Sequence, residues 1–254
     1  MIIQKWSHLY FIATIFIVLP VVEAQPLLAT QLIDNTIYGE LLQKYVINGK
    51  VNYTGLKSEE SRLDSYLEQL ASIDPDKLSY HQRFAFYINA YNAWTLKLIL
   101  SHYPGISSIK DIGSFFSSPW KKDFVRINGA KVTLDHIEHD ILRPEFKDPR
   151  VHFAINCAAI SCPPLANFPF DANHLDRQLE TRTRAFINTP KSNYLKGDIL
   201  WVSRIFKWFG EDFNDKIYDF VLSYAQGDFK RRLAAKKGQI KVKYLDYDWS
   251  LNGS

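Results

Sequence analysis

A chain of 254 residues with 31 basic and 27 acidic side chains, net charge +4, can bury one substantial core, and its charges are too evenly mixed for nucleic-acid binding. The one basic cluster, Lys230-Arg231-Arg232 with Lys236-Lys237, reads as the solvated face of a helix. Six Trp, 14 Tyr and 17 Phe point to a core in which aromatic rings supply much of the buried area.

At the N-terminus Lys5 precedes an apolar run, Leu9 to Val22, that is short for a membrane span, and Val22-Glu23-Ala24 has a small-residue cleavage pattern. Residues 1–24 are therefore expected to be a signal peptide cut before Gln25, with residues 25–254 forming one soluble domain, secreted or periplasmic, with no membrane attachment after cleavage. Thr30 to Val46 and Ser58 to Ile73 read as amphipathic helices, the second with Leu63, Tyr66, Leu67 and Leu70 at helical spacing. Ser79 to Gln82 forms a capping box that opens the apolar run ending before Pro104, expected to be the central buried helix. The serine-punctuated stretch from Gly105 to Pro119 reads as the longest connection.

The hydrophobic period then changes. Asn128-Gly129 between Phe124–Ile127 and Lys131–Thr133 predicts a hairpin, and Gly197-Asp198 between Tyr194–Lys196 and Leu200–Ser203 predicts a second. Val151 to Ile155 reads as a short strand, with helices returning at Leu175–Ile187 and Asp215–Tyr224. Strands that follow helices and pair through tight turns give an α+β fold, helix-rich, packed on a small antiparallel sheet.

Thr133 can cap a helix whose apolar stripe is Leu134, Ile137, Ile141 and Leu142, and Glu138 falls inside that stripe. A carboxylate facing a core needs a partner or a role, so Glu138 is either a buried ion-pair member or part of a site. His139, with Asp135 and Arg143 each four residues away, reads as a surface-network residue.

Both cysteines, Cys157 and Cys162, lie in HFAINCAAISCPPL. Strand alternation would put His152, Ala154 and Asn156 on one face and Cys157 on the other, so the chain must turn at Asn156 for the imidazole to meet the thiol. With that turn, Cys157 is a candidate nucleophile, His152 its base and Glu138 or an asparagine the group orienting the histidine. A Cys157–Cys162 disulfide is the competing reading, and a pair of inert free thiols is the third. Asn89 and Asn92, one turn apart on the buried helix, either fix the core or line a cleft; with Arg143 and Asn156 they are the candidate substrate-binding residues. No zinc spacing, Gly-rich phosphate loop or Gly-x-Ser-x-Gly elbow is present in the sequence, and no cofactor is expected.

The runs YINAYNAWTLKLILSHYP, LDHIEHDILRPEF, DPRVHFAINCAAISCPPL, RIFKWFGEDF and YLDYDWSLN resemble, in order, the blocks of the family called domain of unknown function 547, over roughly Tyr45 to Asn252. The resemblance implies an exported bacterial member of a family whose plant members keep the His-Phe-Ala frame and vary the cysteines. It places the family's recurring polar positions at Asn89, Asn92, Glu138, His139, Arg143, His152, Asn156, Cys157 and Cys162. The expected function is a cysteine/histidine-dependent hydrolase or acyl transferase acting on a small molecule or peptide; the alternative is a binding or scaffold domain locked by a Cys157–Cys162 disulfide. Nothing in the sequence fixes an oligomeric state.

Overall fold

The computed structural model describes residues 33–113 and 117–254. The expected signal peptide, and the first residues of the expected helix from Thr30, lie outside the described residues. No helix among the described residues is long and apolar enough to cross a membrane.

Helix α1 (Thr36–Tyr45) runs into a hairpin, β1 (Val46–Ile47) with β2 (Lys50–Val51), followed by α2 (Tyr53–Ser58) and α3 (Glu60–Ser72). The hairpin turns on Asn48 and Gly49, both at positive φ. At Gly49 a side chain would also meet Pro164, whose Cβ lies 2.2 Å from where a glycine Cβ would be, so the backbone approaches closely there and glycine is required. The expected stripe on α3, Leu63, Tyr66, Leu67 and Leu70, is buried.

Helix α4 (Tyr80–Leu100) opens with Gln82 Oε1 accepting the Ser79 N–H at 3.0 Å, as the capping box predicts. It is buried along most of its length and on every side, with Asn89 and Asn92 among its buried residues. Each asparagine pairs with a non-helical segment as a strand neighbour would. Asn92 donates to Ala154 O (2.9 Å) and accepts from Asn156 N–H (2.8 Å), and Asn89 donates to Phe170 O (2.8 Å) and accepts from Phe170 N–H (2.8 Å). Buried backbone groups that no sheet satisfies are thus satisfied from the helix.

The first expected hairpin forms as β3 (Val125–Ile127) and β4 (Ala130–Val132) around Asn128 and Gly129, both at positive φ. Thr133 caps the helical segment after it, its hydroxyl accepting the His136 N–H at 2.8 Å. The expected single helix is three segments: α5 (Leu134–His136), a π-helical stretch Ile137–Leu142, and α6 (Arg143–Phe146). In the wide turn the Arg143 N–H reaches Glu138 O, five residues back. Pro144 supplies a reason: it has no N–H to continue an α-helical ladder, and its ring crowds the carbonyl four residues back.

The expected strand at Val151–Ile155 does not form. Pro149–Phe153 is a 3₁₀ turn, because Asp148 accepts the Arg150 N–H at 2.9 Å and Pro149 takes the first position, a strong helix-start signal. Helix α7 (Leu175–Ile187) forms as expected, and β5 (Asn193–Lys196) pairs with β6 (Ile199–Val202) in the second expected hairpin. Next come α8 (Ile205–Trp208), a 3₁₀ turn Gly210–Phe213, α9 (Ile217–Tyr224) and α10 (Gly227–Ala235), which carries exposed Lys230, Arg231 and Arg232 of the basic cluster, with Lys236 and Lys237 just after it. A strand the sequence did not show, β7 (Lys241–Tyr244), adds to β6 in parallel, so this sheet is mixed rather than antiparallel. The fold is α+β.

Two hydrophobic clusters form the core. One surrounds α4 with α1, α3 and the α5–α6 segment; the other joins Phe153 to α7, the mixed sheet and α8–α9 through Phe186, Phe206 and Phe213. The 3₁₀ turn at His152 lies at their meeting, with Val151 in the first cluster and Phe153 in the second.

Candidate functional site

A cleft of about 200 Å³ opens where these parts meet, and His152, Cys157, Cys162 and Glu138 all line it. Sequence reasoning placed these four together; their pairings differ from the expected ones.

His152 is buried, its ring stacked on Phe209 at 4.2 Å and tilted against Phe213 at 5.7 Å between centroids. Its Nε2 lies 2.6 Å from Asp212 Oδ2. A carboxylate at neutral pH only accepts, so Nε2 carries the proton and the lone pair of the neutral ring sits on Nδ1. Asp212 also takes a bidentate pair from Arg143, Nε to Oδ2 at 2.6 Å and Nη2 to Oδ1 at 3.0 Å. Burial pushes the Asp212 carboxyl up, but the hydrogen bonds from His152 and Arg143 outweigh it and hold the group well below the usual carboxylate range. Asp212, in the turn after α8, is therefore the orienter of His152. Glu138 is not: its Oε2 accepts from Tyr91 OH at 3.0 Å, and no Lys or Arg pairs with it among the described residues. Asp212 lies 60 positions from His152. Its one local hint was a carboxylate set between Phe209 and Phe213.

Cys157 follows Asn156 through a sharp turn. Ala158 has φ of +59°, a left-handed conformation that costs a residue with a Cβ on the order of 1–3 kcal/mol. Asn156 holds that turn: Oδ1 accepts from Ala158 N–H (2.9 Å) and Asn252 Nδ2 (3.2 Å), and Nδ2 donates to Pro163 O (2.8 Å). The chain thus bends at Asn156 as required, but it enters a loop rather than a helix, so no helix dipole acts on Cys157.

Cys157 and Cys162 are unbonded, with sulfurs 2.7 Å apart, longer than the roughly 2.05 Å of a disulfide bond and close enough for oxidation to join them. Cys157 Sγ is also 3.1 Å from Tyr247 OH, and the Cys157 N–H donates to Cys162 Sγ at 2.9 Å. Burial pushes the Cys157 thiol up, yet its hydrogen bonds with Cys162 and Tyr247 outweigh it and leave the thiol below its ordinary value. Burial, together with the neighbouring Cys157 sulfur, pushes Cys162 well above. The pair is asymmetric, with the thiolate favoured on Cys157. No hydrogen bond joins His152 to Cys157 among the described residues, so the expected activation of the thiol by the imidazole is replaced by stabilisation from Cys162 and Tyr247. Tyr247 was not singled out from the sequence; 90 positions separate it from Cys157.

The candidate substrate-binding residues are corrected by their partners. Asn89, Asn92 and Asn156 spend their amide groups on buried backbone and on Asn252, and none of the three lines the cleft. Arg143 is committed to Asp212, Glu211 and His139, whose Nδ1 accepts from Arg143 Nη1 at 2.8 Å. His139 is the network residue the sequence suggested, and it also lines the cleft. Among the described residues no group of three His, Cys, Asp or Glu is gathered as a metal would require.

Residues 75–187 match the family model described as "Protein of unknown function, DUF547". Over that stretch the chain is similar to this family. The match is narrower than the sequence resemblance, which runs from Tyr45 to Asn252. The matched stretch holds Glu138, Arg143, His152, Cys157 and Cys162; from beyond it Tyr247 lines the cleft, and Asp212 holds His152 without lining the cleft itself. No curated protein and no solved structure matches the chain.

Proposed function

We propose that the cleft is the active site of an exported thiol-dependent hydrolase or acyl transferase. The observation that carries this reading is the coincidence, in one cleft, of a thiol lowered by its own donors and a buried imidazole oriented by a carboxylate. In the reaction, the Cys157 thiolate attacks the carbonyl carbon of an ester or amide and forms a thioester. The bond to the leaving alcohol or amine breaks, and the leaving group takes from His152 the proton that the Cys157 thiol released to the neutral imidazole through solvent as the thiolate formed. Neutral His152 then accepts a proton from water, or from a second nucleophile, as that group attacks the thioester and returns the electron pair to Cys157 sulfur. Asp212 and Arg143 position the imidazole and stabilise its cationic form.

A second reading has a specific observation in its favour. Sulfurs 2.7 Å apart need little movement to be joined by oxidation, which would leave a binding domain without a nucleophile.

The test is to incubate the reduced protein with an activated aryl ester, quench in acid and map the acyl group by peptide mass. The expected result is acylation of Cys157 at roughly ten times the level on Cys162, with the adduct persisting longer in His152→Ala because deacylation lacks its base. Label on lysines only, or none on Cys157, would count against the enzyme.

A further inference from the structure

One wall of the cleft is aromatic beyond what acyl transfer needs. Trp208, Tyr247, Trp249 and Trp120 form a continuous run, with ring centroids 4.7 Å apart for Trp208–Tyr247, 4.5 Å for Tyr247–Trp249 and 5.7 Å for Trp249–Trp120. Trp208 is 43% exposed, unusual for an indole in a chain that buries most of its large rings. The cleft also presents two carboxylates, Glu138 and Asp135, while neither Lys nor Arg lines it. Glu138 is held by a neutral tyrosine hydroxyl, so its charge is not cancelled by a neighbouring cation. Asp135 has the His139 imidazole at 4.0 Å.

We infer that this cleft recognises a substrate bearing an alkylammonium group, primary or methylated, seated against the indole wall and facing Glu138. The electron-rich faces of Trp and Tyr attract a cation, and a ring of them beside a carboxylate is a recurring way to hold ammonium ligands. The wall already acts this way at its edge: the Lys110 ammonium sits 3.9 Å over the Trp249 ring. A neutral polyol could also stack on these rings and donate its hydroxyls to the carboxylates, but it would not use the negative charge that Glu138 holds against a neutral hydroxyl. An anionic substrate would be repelled by them.

The inference rests on reading the cleft as the substrate site, and its test does not depend on turnover. Choline and its neutral carbon isostere, in which a tert-butyl group replaces the trimethylammonium, are titrated into wild type and Cys157→Ser by calorimetry and tryptophan fluorescence. The expected result is that choline binds roughly tenfold more tightly than the isostere, equally in both proteins. Glu138→Gln should collapse that preference while keeping the wild-type melting temperature, because glutamine still accepts from Tyr91. Trp208→Leu, which retains apolar area at a half-exposed position, should weaken choline and leave the isostere unchanged. Equal binding of the two probes, tighter binding of the isostere, or no saturable binding of either would overturn the inference. Loss of the acyl adduct with choline selectivity intact would instead strike the catalytic reading alone.

Discussion

Asp212→Ala is expected to lower stability at neutral pH by about 3 kcal/mol, because it leaves the ring of buried His152 without its acceptor and the part-buried Arg143 guanidinium with exposed Glu211 as its remaining carboxylate. For a protein of this size that is a fall in melting temperature of roughly 6–12 °C. The pH dependence has a definite sign. A carboxyl held below its ordinary value in the folded state contributes stability above about pH 4, and that stability is lost as the pH falls toward the folded value. The gap between wild type and variant should therefore be full at neutral pH and shrink on acidification below about pH 4. Under permissive conditions the variant should also lose acyl transfer by roughly a hundredfold or more, since the imidazole is no longer held in its Nε2-protonated form. Thermal melts across that pH range check the first part. A loss below about 1 kcal/mol, or a gap that does not vary with pH, would mean that Asp212 is a solvated surface carboxylate.

Asn92→Ala should be comparably damaging for a different reason. It leaves Ala154 O and Asn156 N–H buried and unpaired, at about 1–3 kcal/mol each, so a total loss of about 3 kcal/mol is expected from denaturant unfolding. Asn92→Asp should not rescue it, because a carboxylate can accept from Asn156 N–H but cannot donate to Ala154 O. The segment these bonds hold leads directly to Cys157, so the variant should also lose the reactivity difference between the two thiols. A near-neutral Asn92→Ala would show that residues 154–156 are held by their own packing.

What the sequence made legible was local. The capping box at Ser79–Gln82, the cap at Thr133, the turns at Asn128-Gly129 and Gly197-Asp198, and the buried character of α4 all depend on residues within a few positions of one another. The strand expected at Val151–Ile155 failed because a run of apolar residues fits a strand or a turn equally well. Asp148-Pro149 just before it decided for the turn. Strand β7 was hidden because its lysines alternate on an exposed face and its partner β6 is parallel and distant in sequence. Glu138 inside an apolar stripe correctly signalled a polar partner, but not which one: a tyrosine from α4 rather than a cation. Half of the candidate site, His152 with the two cysteines, lay in one peptide. The residues that set its chemistry, Asp212 and Tyr247, come from turns that only the tertiary fold brings to the cleft.

Alkylation of the protein as isolated, mapped on peptides with and without prior reduction, bears most directly on whether Cys157 is a poised nucleophile. Cys157 should take up iodoacetamide at neutral pH without any reductant, roughly tenfold faster than Cys162. That difference should survive His152→Ala, whose ring does not touch the sulfur, and should shrink in Tyr247→Phe, which removes a donor to the thiolate. If neither cysteine is labelled until the protein is reduced, or if Cys162 reacts as fast as Cys157, the cleft has no free nucleophile of the kind described, and the disulfide-locked binding domain is the better account.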